Sequence, residues 1–198
     1  MDGRCSWCGT DPLYIAYHDT EWGVPERDSR ALWEKLILDG FQAGLSWITI
    51  LRKRDAFRAA FDGFNPERIA AWGEAEVAAC LANPGIVRHR GKIEAAIVNA
   101  RAFLAIEERS GFAPFLWRYV EGAPLQNRFA RMADVPARTP LSERISKDLG
   151  RAGFKFCGPV ITYAFMEAVG MVNDHITACP RHAAVASLGE NIFHPAGK

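Results

Sequence analysis

The chain has 198 residues, 49% of them hydrophobic and 24% charged, with a formal net charge of +1. That length suits one large domain or two small lobes, and the near-neutral charge excludes a wholesale basic nucleic-acid binder, leaving a local patch at most. No basic-then-apolar leader, no apolar run of bilayer length and an odd count of five cysteines together predict a cytoplasmic protein without membrane contact, its thiols reduced or on a metal.

Residues 1–25 hold few helix-forming runs and many special residues. Cys5 and Cys8 form a C-x-x-C, and Trp7, Tyr14, Tyr17, His18 and Trp22 crowd the same segment. A terminus this aromatic is expected to be tied down. C-x-x-C is a moderate zinc signal and equally fits two small buried side chains; the lack of a βαβ pattern argues against a thioredoxin-like site.

Asp28 or Ser29 caps a helix running to about Phe41, with Leu32, Trp33, Leu36 and Ile37 on one face. The run Asp39-Gly-Phe-Gln-Ala-Gly-Leu-Ser-Trp47 breaks that regularity. Asp39 lies at the negative end of an apolar helix, a poor place for a carboxylate, which reads either as function or as a solvated surface residue. Helices are predicted over Ile48–Phe61, from Asn65-Pro66 to about Trp72, and over Glu74–Leu81, before a break at Asn83-Pro84-Gly85. Arg88-His-Arg-Gly-Lys92 is a dense basic cluster ahead of a long helix, Lys92 to Glu108; it reads as a phosphate contact or as a solvated helix start. Phe112–Val120 is a short aromatic helix, and Glu121–Thr139 an irregular, Pro- and Ala-rich connection.

Leu141–Ala152, with Ser142 as its cap, and Val160–Val169, opened by Pro159, form two further helices around the turn Gly153-Phe-Lys-Phe-Cys-Gly158. This is a helix-hairpin-helix pattern, whose turn can aim backbone N–H groups at a DNA phosphate. Gly153, Lys155 and Gly158 are its candidate DNA-binding residues, against the plainer reading of an ordinary helix corner. With no strand-length alternation the fold class is all-α. A single domain is expected over 1–188, with a disordered tail at 189–198.

His175 and Cys179, four apart, would share one face of a helical turn, which suits two ligands of one tetrahedral zinc. Cys5 and His18 are matching partners. A Cys5/His18/His175/Cys179 site would be structural, because four protein ligands leave no open position. A Cys5/Cys8/His175/Cys179 set competes, as does a core histidine beside a buried thiol.

Five stretches resemble one known family. They are Asp11-Pro-Leu-Tyr-Ile-Ala-Tyr-His-Asp-x-Glu-Trp-Gly-Val-Pro25, Gln42-Ala-Gly-Leu-Ser-Trp-Ile48, Arg88-His-Arg-Gly-Lys-Ile93, Gly153-Phe-Lys-Phe-x-Gly158 and Val172-Asn-Asp-His175. In this order, to about Cys179, they are similar to the constitutive bacterial 3-methyladenine DNA glycosylases. The resemblance implies a two-lobed helix-hairpin-helix glycosylase fold whose N- and C-terminal segments are stapled by zinc. It implies base-excision repair: hydrolysis of the N-glycosidic bond of 3-methyladenine in alkylated double-stranded DNA, by base flipping.

By the same resemblance Cys5, His18, His175 and Cys179 fall on the zinc ligands. Tyr17 and Trp47 fall on aromatic residues of the base pocket, supported by Tyr14 and Trp22, and Leu45 on the wedge that fills the gap left by the base. Asp39 falls where the family usually has a glutamate that hydrogen-bonds the base, and is one methylene shorter. An aromatic cage attracts a cationic alkylated base, and a carboxylate adds charge-assisted hydrogen bonding. Asn173 occupies the register of the catalytic aspartate of related glycosylases; Asp174, beside it, reads as a helix cap. Lys155 lies in the turn itself, not at the hairpin position of lyase-type relatives, so a monofunctional, monomeric glycosylase is expected. The alternatives are a non-catalytic binder of alkylated DNA, because Asp39 is short, and a zinc-stapled interaction protein.

Overall fold

In the computed structural model, which describes residues 3–190, the chain runs through α1 (Pro12–Thr20), α2 (Ser29–Gln42), α3 (Trp47–Leu51), α4 (Arg54–Ala60), α5 (Pro66–Ala70), α6 (Glu74–Ala82), α7 (Arg90–Ser110), α8 (Phe112–Trp117), β1 (Leu125–Gln126), α9 (Pro140–Arg151), α10 (Pro159–Ala168), β2 (Val172–Asn173) and α11 (Pro180–Glu190). The all-α expectation holds. The two strands are a two-residue parallel bridge, Leu125 opposite Val172 and Gln126 opposite Asn173, which ties the 121–139 connection to the segment after α10.

The two longest helices carry the core. In α7, Ile93, Ala96, Ile97, Ala100, Phe103 and Ile106 recur at helical spacing and are buried against α5, α6, α8 and α2. In α2 the buried stripe is Leu32, Trp33, Leu36 and Ile37, and the burial continues through Leu38, Asp39, Gly40 and Phe41. Full burial of each such large apolar side chain contributes on the order of 1.5–3 kcal/mol. The buried cluster is continuous from Cys5 to Cys179.

Five local expectations are corrected. Residues 12–20 are helical, because Asp11 accepts from the backbone N–H of Leu13 and Tyr14 and Pro12 opens the first turn. The helix expected over 48–61 is two, α3 and α4, broken at Arg52–Lys53, where Lys53 Nζ reaches across to the carbonyls of Pro84 and Gly85. The cap of α9 is Thr139, whose Oγ1 accepts from Ser142 N–H while its own backbone N–H donates to Ser142 Oγ, the two halves of a capping box. Residues 174–179 form turns, not a helix. Gly189 and Glu190 belong to α11; the remainder of the expected tail lies outside the described residues.

The turn between α9 and α10 is built as its sequence suggests. Gly153 takes φ +103° and Phe156, unusually for a bulky residue, φ 54°. Asn99 of α7 clamps it, accepting from Lys155 N–H at 2.7 Å and donating to Lys155 O at 3.0 Å. Ser146 and Thr162 both donate to the Cys157 carbonyl from either side. α9 and α10 pack on each other, and α10 packs on α2.

Candidate functional site

Tyr14, Tyr17, Trp22, Asp39 and Trp47 line one cavity of about 160 Å³, with Trp7, Lys35, Gln42, Met132 and Glu167. Three elements set it up. Tyr14 and Tyr17 stand three apart on α1, so they share a face. Asp39 sits in the last turn of α2. Trp47 opens α3 after the tight turn at Gly44, whose φ is +82°. Tyr17 and Trp47 rings lie 5.4 Å apart, and Trp7 meets Tyr14 and Trp22 edge-on at 4.9 and 5.0 Å.

Asp39 is fully enclosed, 1% exposed, so the solvated-surface reading does not hold. Its Oδ1 accepts from Lys35 Nζ at 2.6 Å, one helical turn earlier. Its Oδ2 has no hydrogen-bond partner, and neither has the Trp47 indole N–H. Leaving a buried polar atom unmatched costs about 1–3 kcal/mol, which a ligand meeting it would recover. Burial pushes the Asp39 carboxyl above the usual carboxylate range, opposed by the Lys35 charge. Burial likewise draws the Lys35 ammonium down, opposed by Asp39. Lys35 Nζ also lies 3.6 Å from the centroid of the Trp47 ring: the cation on the aromatic cage is the chain's own.

Glu167, on α10, is the second carboxyl of the cavity. Burial, and then its neighbour Asp174, hold it well above its ordinary pKa. Asp174 itself accepts from Tyr163 OH and Asn127 Nδ2, both at 2.6 Å; it caps no helix, since α11 begins only at Pro180. Asn173 donates to Gln126 Oε1 and His182 O. Neither Asn173 nor Asp174 lines the cavity.

Beside the aromatic wall, Cys5, His18, His175 and Cys179 are all buried, with ligand atoms within 4.8 Å of one another. The Cys5 Sγ–His175 Nδ1, Cys179 Sγ–His18 Nε2 and Cys179 Sγ–His175 Nδ1 separations are 3.6, 3.6 and 3.7 Å. A tetrahedral ion with ordinary metal–sulfur and metal–nitrogen bonds has S···N edges of ~3.6 Å, so the four fit one metal. Their second ring nitrogens are fixed as ligand histidines require. His18 Nδ1 is 2.7 Å from Asp19, which Arg4 holds in turn, and His175 Nε2 is 3.0 Å from Trp22 O. Burial pushes the Cys5 thiol up to about 12 and lowers His175 to about 4; a bound cation would offset that burial and favour the Cys5 thiolate. Cys8 lies outside the group, its Sγ on the Cys5 carbonyl at 3.2 Å, which removes the Cys5/Cys8/His175/Cys179 alternative. The turn that places His175 needs Gly23: a Cβ there would stand 3.1 Å from His175 Nε2.

Leu45 is 43% exposed at the end of the Gly44 turn. Lys155, Phe156 and Gly158 are exposed on the α9–α10 turn, and Gly153 is partly so. The basic cluster divides. Arg88 is exposed, Arg90 pairs with Glu74 and Glu94, and His89 caps α7. Lys92 is buried and donates to the carbonyls of Phe41 and Ala43, which corrects its reading as a phosphate contact. Lys35, Glu167, Met132 and Asn99 are not singled out by the sequence. Lys35 had a signal, four residues before Asp39 on one helix face; the others had none.

The chain matches the methyladenine glycosylase family over residues 7–182. It is 49% identical over 177 residues to DNA-3-methyladenine glycosylase 1 of Escherichia coli (strain K12), covering 89% of this chain and 95% of that protein. A crystal structure of a 3-methyladenine DNA glycosylase I superposes with a TM-score of 0.88 at 55% identity, covering 89% of this chain and 98% of that one. A tyrosine-to-phenylalanine variant of a 3-methyladenine DNA glycosylase I, in complex with 3-methyladenine, superposes with a TM-score of 0.87 at 39% identity over 90% of this chain and 96% of that one.

Proposed function

The chain belongs to the methyladenine glycosylase family, and from that premise we infer its work: it is a DNA-3-methyladenine glycosylase of base-excision repair. The observation that carries the assignment to a site is the unpartnered Asp39 Oδ2 in an aromatic cavity. A base inside the stack is out of reach, so the nucleotide is extruded into this cavity. Tyr17 and Trp47 stack on the base, with Tyr14 and Trp22 behind them, and Asp39 Oδ2 accepts a charge-assisted hydrogen bond from its exocyclic amine. The bond between C1′ of the sugar and the base nitrogen then breaks, its electron pair going to the base, which leaves neutral; water adds at the cationic C1′ and gives up a proton to solvent.

Little general-acid help is needed for such a leaving group. That agrees with Asn173 and Asp174 lying outside the cavity lining, with Asp174 held by Tyr163 and Asn127. Lys155, the lysine of the α9–α10 turn, is exposed and does not line the cavity, which supports hydrolysis without strand cleavage. A purely binding role is not favoured, because the shorter Asp39 still lines the cavity with a free acceptor.

Cys5, His18, His175 and Cys179 bind zinc, on the strength of their S···N edges and fixed outer nitrogens. With four protein ligands the ion is structural; it staples the N-terminal segment to the turn after β2. The α9–α10 pair is the helix-hairpin-helix of a two-lobed domain over 1–188. Gly153, Lys155 and Gly158 offer N–H groups and charge to a phosphate of double-stranded DNA, and Leu45 wedges into the vacated stack. The protein acts as a monomer in the cytoplasm; among the described residues no helix is long and apolar enough to cross a membrane.

Base release from dimethyl-sulfate-treated DNA, resolved by chromatography, tests the assignment. Wild type is expected to release 3-methyladenine and Asp39→Asn to lose most of that activity. An inert wild type with release restored by Asp39→Glu would overturn it.

A further inference from the structure

Asn99 is a polar residue inside the apolar stripe of α7, between Ala96 and Phe103, and is 5% exposed. Its amide meets both backbone groups of one residue in the α9–α10 turn. Oδ1 accepts from Lys155 N–H at 2.7 Å, and Nδ2 donates to Lys155 O at 3.0 Å. With its backbone so engaged, Lys155 is left with an exposed side chain, next to the exposed Phe156.

We propose that Asn99 is a positioning residue for base release: by holding Lys155, it fixes the DNA-facing turn at a set distance from the wedge turn at Gly44 and Leu45. This rests on reading the α9–α10 turn as a phosphate site, and deepens that reading.

The hairpin closes without α7. Gly153 N–H donates to Gly150 O at 3.1 Å and Phe154 N–H to Leu149 O at 3.0 Å. Ser146 of α9 and Thr162 of α10 hold the Cys157 carbonyl at 2.7 and 2.9 Å. Asn99 comes from outside that unit, so it governs where the turn sits rather than whether it forms. Phe156, next to Lys155, takes φ 54°, a left-handed conformation that a bulky residue keeps only where its neighbours are held.

The same face of α7 holds the wedge turn. Lys92 stands seven residues before Asn99, two helical turns and about 10 Å along the axis. It donates to the Phe41 and Ala43 carbonyls at 2.8 and 2.6 Å, where α2 gives way to Gly44 and Leu45. Two buried polar side chains of one helix thus grip two DNA-facing turns. Phe156 lies between the grips, its ring centroid 6.0 Å from Lys92 Nζ and 6.2 Å from that of His89. Extruding a nucleotide needs the strand held by its phosphates while an apolar side chain enters the stack. A fixed spacing prepares both contacts for the duplex at once, so less ordering is left to binding.

Single-turnover base release from a dimethyl-sulfate-treated duplex, followed over a range of enzyme concentrations, tests the proposal. Asn99→Ala is expected to raise the half-saturating concentration about tenfold, the size of one charge-assisted hydrogen bond, and to keep the plateau rate. Calorimetric binding of free 3-methyladenine should stay at the wild-type value. Asn99→Leu, which fills the vacated volume, carries the same expectations should Asn99→Ala not fold. A lower Tm with half-saturation unchanged would reduce Asn99 to packing and overturn the proposal, as would loss of free-base binding in both variants. Lys155→Ala tests the underlying reading by itself. Half-saturation unchanged in that variant overturns the turn as a phosphate site, and the proposal with it.

Discussion

Lys92 Nζ donates to the Ala43 carbonyl across 2.6 Å, from the first turn of α7 to the residue that ends α2. A second bond of 2.8 Å goes to Phe41 O. The last carbonyls of a helix have no partner within it, and here a buried ammonium supplies one, at the negative end of the helix where a cation belongs. The turn so held leads directly to Leu45 and Trp47. Lys92→Met would leave both carbonyls unmatched and is expected to destabilise the fold by about 1.5–3 kcal/mol, a fall in Tm of roughly 3–12 °C for a chain of this size. Calorimetry checks the value. A lysine serving a phosphate would instead leave Tm unchanged and flatten the salt dependence of DNA binding.

Zinc removal should act on the base pocket through Trp22. His175 Nε2 donates to Trp22 O at 3.0 Å, and the two rings meet edge-on at 4.6 Å. The protein as purified is expected to carry one zinc, measured by mass spectrometry of the metal. Chelation should lower Tm and change the tryptophan emission together. His18→Ala and Cys179→Ser should lose the metal, whereas Cys8→Ser should keep it. A metal-free protein with unaltered Tm and full base release would remove the structural role.

Much of this was legible in the sequence, for physical reasons that differ by residue. The α2 and α7 stripes were readable because apolar spacing follows the helical period. The turn at 153–158 was readable from its glycines. The residue types of the metal cluster are visible in the sequence, but helical spacing is not what joins His175 to Cys179: they meet across turns, with Cys179 N–H on Ile176 O. Lys92 was misread because its charge suggested solvent or phosphate, and only tertiary packing turns it inward. Met132 reaches the cavity from a connection with no periodicity, and nothing local marks it. Asn99 looks like any polar residue on a helix, and its clamp on Lys155 depends on a contact 56 positions away.

Tyr163 and Asp174 give a test that separates stability from chemistry. The Tyr163 hydroxyl donates to Asp174 Oδ2 at 2.6 Å, where both are buried. Burial, and then the hydrogen bond to Asp174, push the tyrosine well above its ordinary pKa, so it stays a donor. Tyr163→Phe is expected to cost about 1–3 kcal/mol by denaturant unfolding. Asp174→Asn should likewise lower stability while leaving the pH dependence of base release in place. A displaced acid limb in Asp174→Asn would make Asp174 the general base after all.

The acid limb of base release should belong to Asp39. Three groups set its proton affinity or answer to its charge, Lys35 on its own helix, Tyr17 from α1 and Glu167 from α10, and two more, Arg54 of α4 and Glu21 after α1, act on Lys35. Burial raises Asp39, and Lys35 is what pulls it back. Release needs the ionised carboxylate, so the rate is expected to rise with pH through a value above the ordinary aspartate pKa of about 3.9. Lys35→Met removes the opposing charge and should carry the limb to higher pH, whereas Lys35→Arg should leave it near the wild-type position. The linkage to stability has the opposite sense. A carboxyl raised in the folded state favours the fold most below its unfolded pKa, and that contribution is lost as pH rises through the folded value. The double variant Lys35→Met/Asp39→Asn is therefore expected to be inactive and at least as stable as wild type at pH 7, since exchanging a buried ion pair for uncharged groups is often neutral or stabilising. A wild-type limb at the ordinary carboxylate value, unmoved in Lys35→Met, would show that the proton controlling release sits elsewhere.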